Sequence, residues 1–326
     1  MRVFVVGASG AIGTRLVPQL IERGHEVIGT SRSPVKAESL RALGAEPVVL
    51  DVLDAAAVRQ AVVDAKPDAI VHEATDLSNL RDFKHFDRGF AQTNRLRIGG
   101  TDNLLAAAHI AGVSRFVAQS FASYRYARVG GPVKTEDDPL DPDPVPAMRE
   151  SEAAMEYLDR VVTGAGGIAL RYGGFYGALD DALVDAVRAR KFPIVGNGSG
   201  LTSFVHLEDA ASATVLALDH EGPEIFHVVD DEPAPIRVWL PMLAEVVGAK
   251  PPRHFPRWLA RLFAGEAVAM MATESRGASN EKAKRELGWT LRYPSWREGF
   301  VAAYGSSART RERVAQPTGR THHSPT

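Results

Sequence analysis

The stretch VFVVGASGAIGTRL, residues 3–16, decides the fold. An apolar run ends at Gly7, two more glycines follow at Gly10 and Gly13, and an amphipathic stretch then begins. Glycines at this GxxGxxG spacing allow a sharp turn, let backbone approach a pyrophosphate, and let a helix pack closely on a strand. The helix that opens there presents free N–H groups and the positive end of its dipole to phosphates. A glycine triplet alone is a weak signal. Here it follows a strand, opens a helix and stands at the head of an α/β pattern, which is the context that dinucleotide binding requires.

Outward from this turn, short apolar runs at 3–6, 26–29, 47–50, 69–72, 115–119 and 167–170 read as buried strands. Helical patterns fill 11–23, 34–43, 54–65, 90–111 and 148–163 between them. Continuous apolar strands alternating with helices predict a doubly wound parallel sheet, the Rossmann arrangement, covered on both faces. Past Leu170 the pattern loosens: 179–190 and 235–271 read as helices, while TSFVHLEDA and EIFHVVD read as further strands. The expected organisation is a dinucleotide-binding domain over 1–171, with added segments near 201–230. A smaller substrate lobe then takes 172–304, and a disordered tail 305–326, whose polar, basic sequence offers little to bury.

Composition narrows the function classes. The formal charge of −2 over 326 residues argues against a nucleic-acid partner. There is no cysteine, so disulfides, thiolate catalysis and zinc–cysteine sites are excluded. No metal site is read from the remaining residues. No apolar run approaches the roughly 18 residues of a membrane span, and the N-terminus lacks the pattern of a signal peptide. The expectation is a cytoplasmic protein, monomer or homodimer, acting on a small molecule.

The second strand runs into GTSRS, where NAD-binding chains usually carry a ribose-binding carboxylate. Ser31 takes that place and Arg32 follows it. A guanidinium suits a 2′-phosphate, so NADP is expected over NAD. Asp51, closing VVLDVLD at its first aspartate, stands where it can meet the adenine, and Asp54 is the better helix cap.

Several segments together resemble the extended short-chain dehydrogenase/reductase family, which includes NAD(P)-dependent epimerases and dehydratases. They are the glycine turn, AIVHEAT (69–75), TNRLRIGGTDNLLAAAHIAGVSRFV (93–117), ALRYGGFYG (169–177), FVHLEDAASA (204–213) and NEKAKRELGW (280–289). The resemblance implies cofactor contacts in segments holding Gly7, Gly10, Ala11, Ile12, Gly13, Arg32, Asp51, Val52, Ala74 and Asn94. It also puts Tyr172, Gly173 and Phe175 near the nicotinamide end. The family's chemistry rests on a tyrosine and a lysine one helical turn later, with a serine or threonine after the fifth strand. Here Met148 stands at the tyrosine position and Glu152 at the lysine position. No Tyr-x-x-x-Lys occurs anywhere in the chain. Phe121 takes the serine position, with Ser120 and Ser123 nearby.

The candidate proton donors are therefore Tyr124, Glu152 and water held by Ser120. Tyr124 reads alternatively as pocket wall. Glu152 reads either as a surface partner of Arg149, or as a buried carboxyl with a raised pKa able to replace the tyrosine. His72 reads as a packed strand-end residue, and Asp209 as a support for backbone between the lobes. Trp258, Leu259, Leu262, Phe263, Met270 and Met271 offer a lining for an apolar pocket. The expected function is an atypical NADP-dependent reductase of a small, fairly apolar carbonyl or activated alkene. The alternatives are a nucleotide-sugar epimerase or dehydratase with a replaced acid, and a non-catalytic NADP(H)-binding sensor or scaffold.

Overall fold

The computed structural model describes residues 1–77, 83–122, 124–177 and 182–315, with side chains given through 305 except that of Phe83. Seven parallel strands form the central sheet. They are β1 (Arg2–Val6), β2 (Glu26–Ser31), β3 (Glu46–Val49), β4 (Ala69–His72), β5 (Arg115–Phe121), a sixth (Ile168–Tyr172) and a seventh (Glu224–Val228). The spatial order is seventh, sixth, β5, β4, β1, β2, β3. After β3 the chain crosses to the other side of β1, so the crevice beyond the carboxyl ends of β1 and β4 is the topological switch point. Open α/β sheets bind their ligands there.

The strand pattern explains the two layers. Side chains alternate across a strand, and both sides of β1 are apolar: Val3 and Val5 enter one core while Phe4 and Val6 enter the other. Helices α1 (Gly13–Glu22), α2 (Pro34–Ala42), α8 (Leu207–Asp219) and α12 (Glu281–Leu287) supply the first core. Helices α3 (Ala55–Ala65), α5 (Thr101–Ala111) and α6 (Arg149–Gly164) supply the second. A third core belongs to the smaller lobe. There α7 (Ala182–Arg188), α9 (Ile236–Val246) and the start of α13 (Trp296–Ala315) pack around Trp239, Phe204, Trp296 and Phe300.

Two expectations need correction. The single helix at 90–111 is broken: α4 (Phe86–Arg95) passes through a π-helical turn, Leu96–Gly100, before α5 begins. In TSFVHLEDA Thr202 ends a short strand, Leu201–Thr202, and Phe204–His206 forms another; α8 begins at Leu207, with the His206 ring accepting from the Glu208 N–H at 3.1 Å. Helix α13 runs to Ala315, past residue 305 where the tail was expected to begin. Residues 316–326 lie outside the described residues. Among the described residues no helix is long and apolar enough to cross a membrane.

Candidate functional site

At the switch point the turn is held by close packing. Gly7 has φ +84°, and a Cβ there would lie 2.9 Å from the Ala74 nitrogen and the Glu73 carbonyl carbon. A Cβ on Gly13 would lie 2.4 Å from the Ala8 carbonyl oxygen, so the helix start sits directly on the strand end. The Gly10 N–H donates to the Gly7 carbonyl at 2.9 Å, closing the loop. Gly10 and Ala11 are exposed on its lip and Ile12 is buried beneath. No side chain caps α1. The Thr14 and Arg15 N–H groups donate to the Gly10 and Ile12 carbonyls at 3.1 and 2.8 Å, so it is the turn ahead of them, Gly10–Gly13, with the positive end of the helix dipole, that fits a dinucleotide pyrophosphate.

The other expected cofactor residues divide into rim and interior. Ser31 is buried, its hydroxyl accepting from Ser9 at 2.9 Å. Arg32 stands half-exposed beside it and pairs with Asp76 at 3.2 Å. Asp51 is exposed and accepts from the Leu53 N–H at 3.0 Å, whereas Asp54 caps α3 through the Ala56 and Ala57 N–H groups, both at 3.0 Å. Val52 is buried against Gly100. Ala74 is half-buried where Gly7 approaches. Asn94 is buried and donates to the Ser151 hydroxyl at 3.1 Å, tying α4 to α6. The Tyr172 side chain turns into the core. Its hydroxyl donates to Glu73 at 3.0 Å and shares a hydrogen bond with Thr214 at 2.6 Å. Burial pushes the Glu73 carboxyl up to about 8, so it is largely neutral at pH 7. His72 is pushed down to about 4 by burial and contacts the Leu96 carbonyl at 3.3 Å, a packed strand-end residue.

The other end of the crevice is built on the face of α6 that carries Met148 and Glu152. Met148 is fully buried at the end of a one-turn 3₁₀ helix, Pro146–Met148, and offers α6 no cap. Asp87 of α4 caps instead, accepting from the Glu150 N–H at 3.1 Å, the Ser151 N–H at 2.9 Å and the Ser151 hydroxyl at 2.6 Å. Sequence spacing could not reveal this partner 63 residues away. Met148 packs in one apolar cluster with Phe86, Tyr124, Met155 and Met270. Tyr124, at φ +47°, meets Phe86 edge-on at 5.6 Å and Phe121 at 5.3 Å. Burial raises its pKa well above the ordinary tyrosine value, which Arg97 opposes and Glu152 reinforces. Tyr124 thus forms an aromatic wall of the cluster.

Glu152 is buried, and burial pushes its carboxyl up to about 8; Asp141 adds to this, while Arg125 and Arg128 oppose it. The surface pair with Arg149 does not form, because Arg149 reaches Asp143 at 2.8 Å instead. Among the described residues nothing hydrogen-bonds the Glu152 carboxyl. Ser120 is buried with its hydroxyl accepting from Arg125 at 3.2 Å, and Ser123 lies outside the described residues. The fold therefore brings Tyr124, Met148 and Glu152 together, and binds Ser120 to an arginine.

That arginine belongs to a network not read from the sequence. Asp159 of α6 accepts from Arg125 and Arg171, each at 2.9 Å. Arg171 also donates to the Tyr126 hydroxyl at 2.8 Å, and Tyr126 in turn bonds His227. A signal existed: Arg171 interrupts the apolar run GIALRY of a strand meant to be buried on both faces. In the smaller lobe, α11 (Glu266–Glu274) places Met270 in the Met148 cluster and Met271 at its edge. Trp258, Leu262 and Phe263 of α10 (Arg257–Phe263) are exposed, so only part of the expected apolar lining reaches this face. Asp209 accepts from the Arg292 and Tyr293 N–H groups at 2.6 and 2.9 Å, holding backbone between the lobes as expected.

Comparison with known proteins adds to this geometry. The "3-diazoavenalumate denitrifying reductase" of Streptomyces sp is 43% identical over 92% of this chain and 99% of that protein. A Stigmatella aurantiaca ketoreductase of a farnesylated dihydroquinoline oxide is 30% identical over 77% of this chain and 74% of its own. Among solved structures, UDP-glucose 4-epimerase of Thermotoga maritima superposes with a TM-score of 0.76 at 21% identity, over 95% of this chain and 100% of that one. The profile of the NAD dependent epimerase/dehydratase family matches residues 3–228. A reductase shares nearly the whole length, and the family profile covers the sheet and the crevice together; the chain belongs to the NAD dependent epimerase/dehydratase family.

Proposed function

We propose that the protein is an NAD(P)H-dependent reductase that needs no side-chain acid, and that its substrate is an aryl diazonium compound. The observation that carries this reading is Met148, fully buried where the resemblance calls for the proton-donating tyrosine. Reduction of a ketone leaves an alkoxide, which must be protonated, and a positioned acid contributes about 10²–10⁴ to such a step. A diazonium ion already carries the positive charge that a hydride neutralises. The bound nicotinamide would supply that hydride. A new N–H bond at the terminal nitrogen gives Ar–N=N–H, and loss of N₂ with the hydrogen passing to the aryl carbon leaves Ar–H. No proton is consumed overall. The 43% identical relative, named as a denitrifying reductase of a diazo compound, supports the same chemistry.

The chain's own residues would bind and orient. Gly7, Gly10 and Ala11 with the uncapped start of α1 would hold the pyrophosphate. Asn94 and Ser151 fix α6 against α4. The cluster around Phe86, Tyr124 and Met148 would give an aryl ring apolar walls and exclude water. Arg32 at the rim favours a 2′-phosphate, although Asp76 must share it. NADPH is expected to bind at least about tenfold tighter than NADH, about 1.4 kcal/mol. Equal affinities in a fluorescence titration would remove Arg32 from that role.

A second reading is the reduction of a small carbonyl or activated alkene with protonated Glu152 as donor, favoured by its raised pKa. The two separate in one assay: NADPH oxidation and N₂ release with arenediazonium salts, against NADPH oxidation with small ketones and enones. Turnover of the diazonium salts well above the enzyme-free rate is expected. Turnover of ketones alone would favour the second reading, and no turnover of either a non-catalytic role.

A further inference from the structure

The π-helical turn between α4 and α5 carries a buried charge whose hydrogen bonding is incomplete. Arg97 lies in it, 6% exposed, and neither its Nε nor its Nη1 has a hydrogen-bond partner. Buried arginines are ordinarily paired, because an unpaired buried ion costs several kcal/mol. Asp159 attracts the Arg97 charge without bonding it: its Oδ2 is shared by Arg125 and Arg171, and its buried Oδ1 has no partner. Arg125 itself keeps Nε and Nη2 unpartnered. The Glu152 carboxyl nearby is held largely neutral and forms no ion pair among the described residues. The interior here thus holds three guanidinium groups, Arg97, Arg125 and Arg171, against two charged carboxylates, Asp159 and the buried Glu136 that faces Arg171. π turns are costly local features that occur often at functional sites. This one packs against α6, and the Arg97 charge acts on Tyr124, in the wall that Met148 shares.

We infer that Arg97 is a substrate-binding residue that takes the carboxylate of an aromatic acid whose ring lies in the apolar cluster of Phe86, Tyr124 and Met148. The planar fork of a guanidinium matches a carboxylate through two parallel hydrogen bonds. Binding would supply the missing negative charge to the interior, while the aromatic and methionine side chains receive the ring. The inference rests on the reading of this face as the substrate site. It concerns binding, so it fails or stands separately from diazonium reduction.

The test uses the full chain with NADP, and trans-cinnamate and cinnamamide as probes that cannot react. Melting temperatures are followed as each is titrated into the wild type, Arg97→Lys and Arg97→Met. Wild type should bind the acid at least about tenfold more tightly than the amide, as a charge-assisted pair requires. Arg97→Met should lose that preference, and Arg97→Lys should keep part of it. A purely structural arginine would not move the acid-to-amide ratio. Without probe, Arg97→Met should melt at or above the wild-type temperature, because it removes an uncompensated buried charge. Equal wild-type affinity for acid and amide would overturn the inference. So would an unchanged preference in Arg97→Met, or a variant melting several degrees below wild type, since Arg97 would then have a structural partner.

Discussion

The two ends of the crevice obey different rules. At the glycine turn, backbone does the work: Gly7, Gly10 and Gly13 are set by contacts as close as 2.4 Å to a hypothetical Cβ, and the binding groups are N–H donors that any sequence would supply. On the α6 face side chains decide, and there Met148 and Glu152 stand where the resemblance calls for the tyrosine and the lysine. A backbone site can be kept by glycine spacing alone. A side-chain site can change its chemistry through a few substitutions while the sheet beneath stays the same. This is why membership of the family fixes the fold and the crevice, and leaves the reaction to be argued from the residues that line it.

Breaking the side-chain end should have the larger effect on stability. Asp159→Asn leaves Arg125 and Arg171 without their carboxylate, and breaking a buried pair in this way costs about 3–5 kcal/mol. Denaturant unfolding measures it. A loss below about 1 kcal/mol would mean that the two arginines are answered by something else.

At the backbone end, Gly7→Ala puts a methyl group 2.9 Å from the Ala74 nitrogen at a φ of +84°. Overpacking of that kind costs about 1–3 kcal/mol. It should also abolish dinucleotide binding in a fluorescence titration, because the turn must shift to admit it. Retained affinity would show that the pyrophosphate does not lie on this turn.

These two ends were not equally legible. Apolar strands buried on both faces, the glycine turn and the Asp54 cap follow from local patterns, and Met148 and Glu152 were singled out by the resemblance, which puts them at the tyrosine and lysine positions. The break at Leu96–Gly100 was not, because an inserted π turn keeps the apolar content of a continuous helix. The arginine network was hidden for a different reason. Arg125, Asp159 and Arg171 meet only when β5, α6 and the sixth strand are assembled, and no periodicity connects them. Tyr172 was expected near the nicotinamide end of the cofactor, and its side chain serves Glu73 and Thr214 in the core; a strand residue's face cannot be read where both faces are buried.

A smaller effect separates the ends by pH. Glu73 beneath the glycine turn and Glu152 on α6 both titrate near 8 in the folded chain, against 4.5 as the ordinary value. Their folded pKa is raised, so their contribution to stability is full below about pH 4.5 and is lost as the pH rises through about 8. The melting temperature should fall over that window. Glu73→Gln should flatten the fall without changing turnover, whereas Glu152→Gln should flatten it at the substrate end. An unchanged slope in both variants would show that neither carboxyl is held neutral.

The proposed hydride transfer needs no side-chain acid. The most direct measurement is kcat for an arenediazonium salt with NADPH, compared among wild type, Glu152→Gln and Tyr124→Phe. Glutamine has the shape of a neutral carboxylic acid but cannot release its proton, and phenylalanine keeps the ring of Tyr124 without its hydroxyl. Both variants are predicted to stay within about threefold of wild type, far from the roughly hundredfold loss that removal of an acid catalyst brings. A loss of that size in either variant would contradict the account and identify the proton donor.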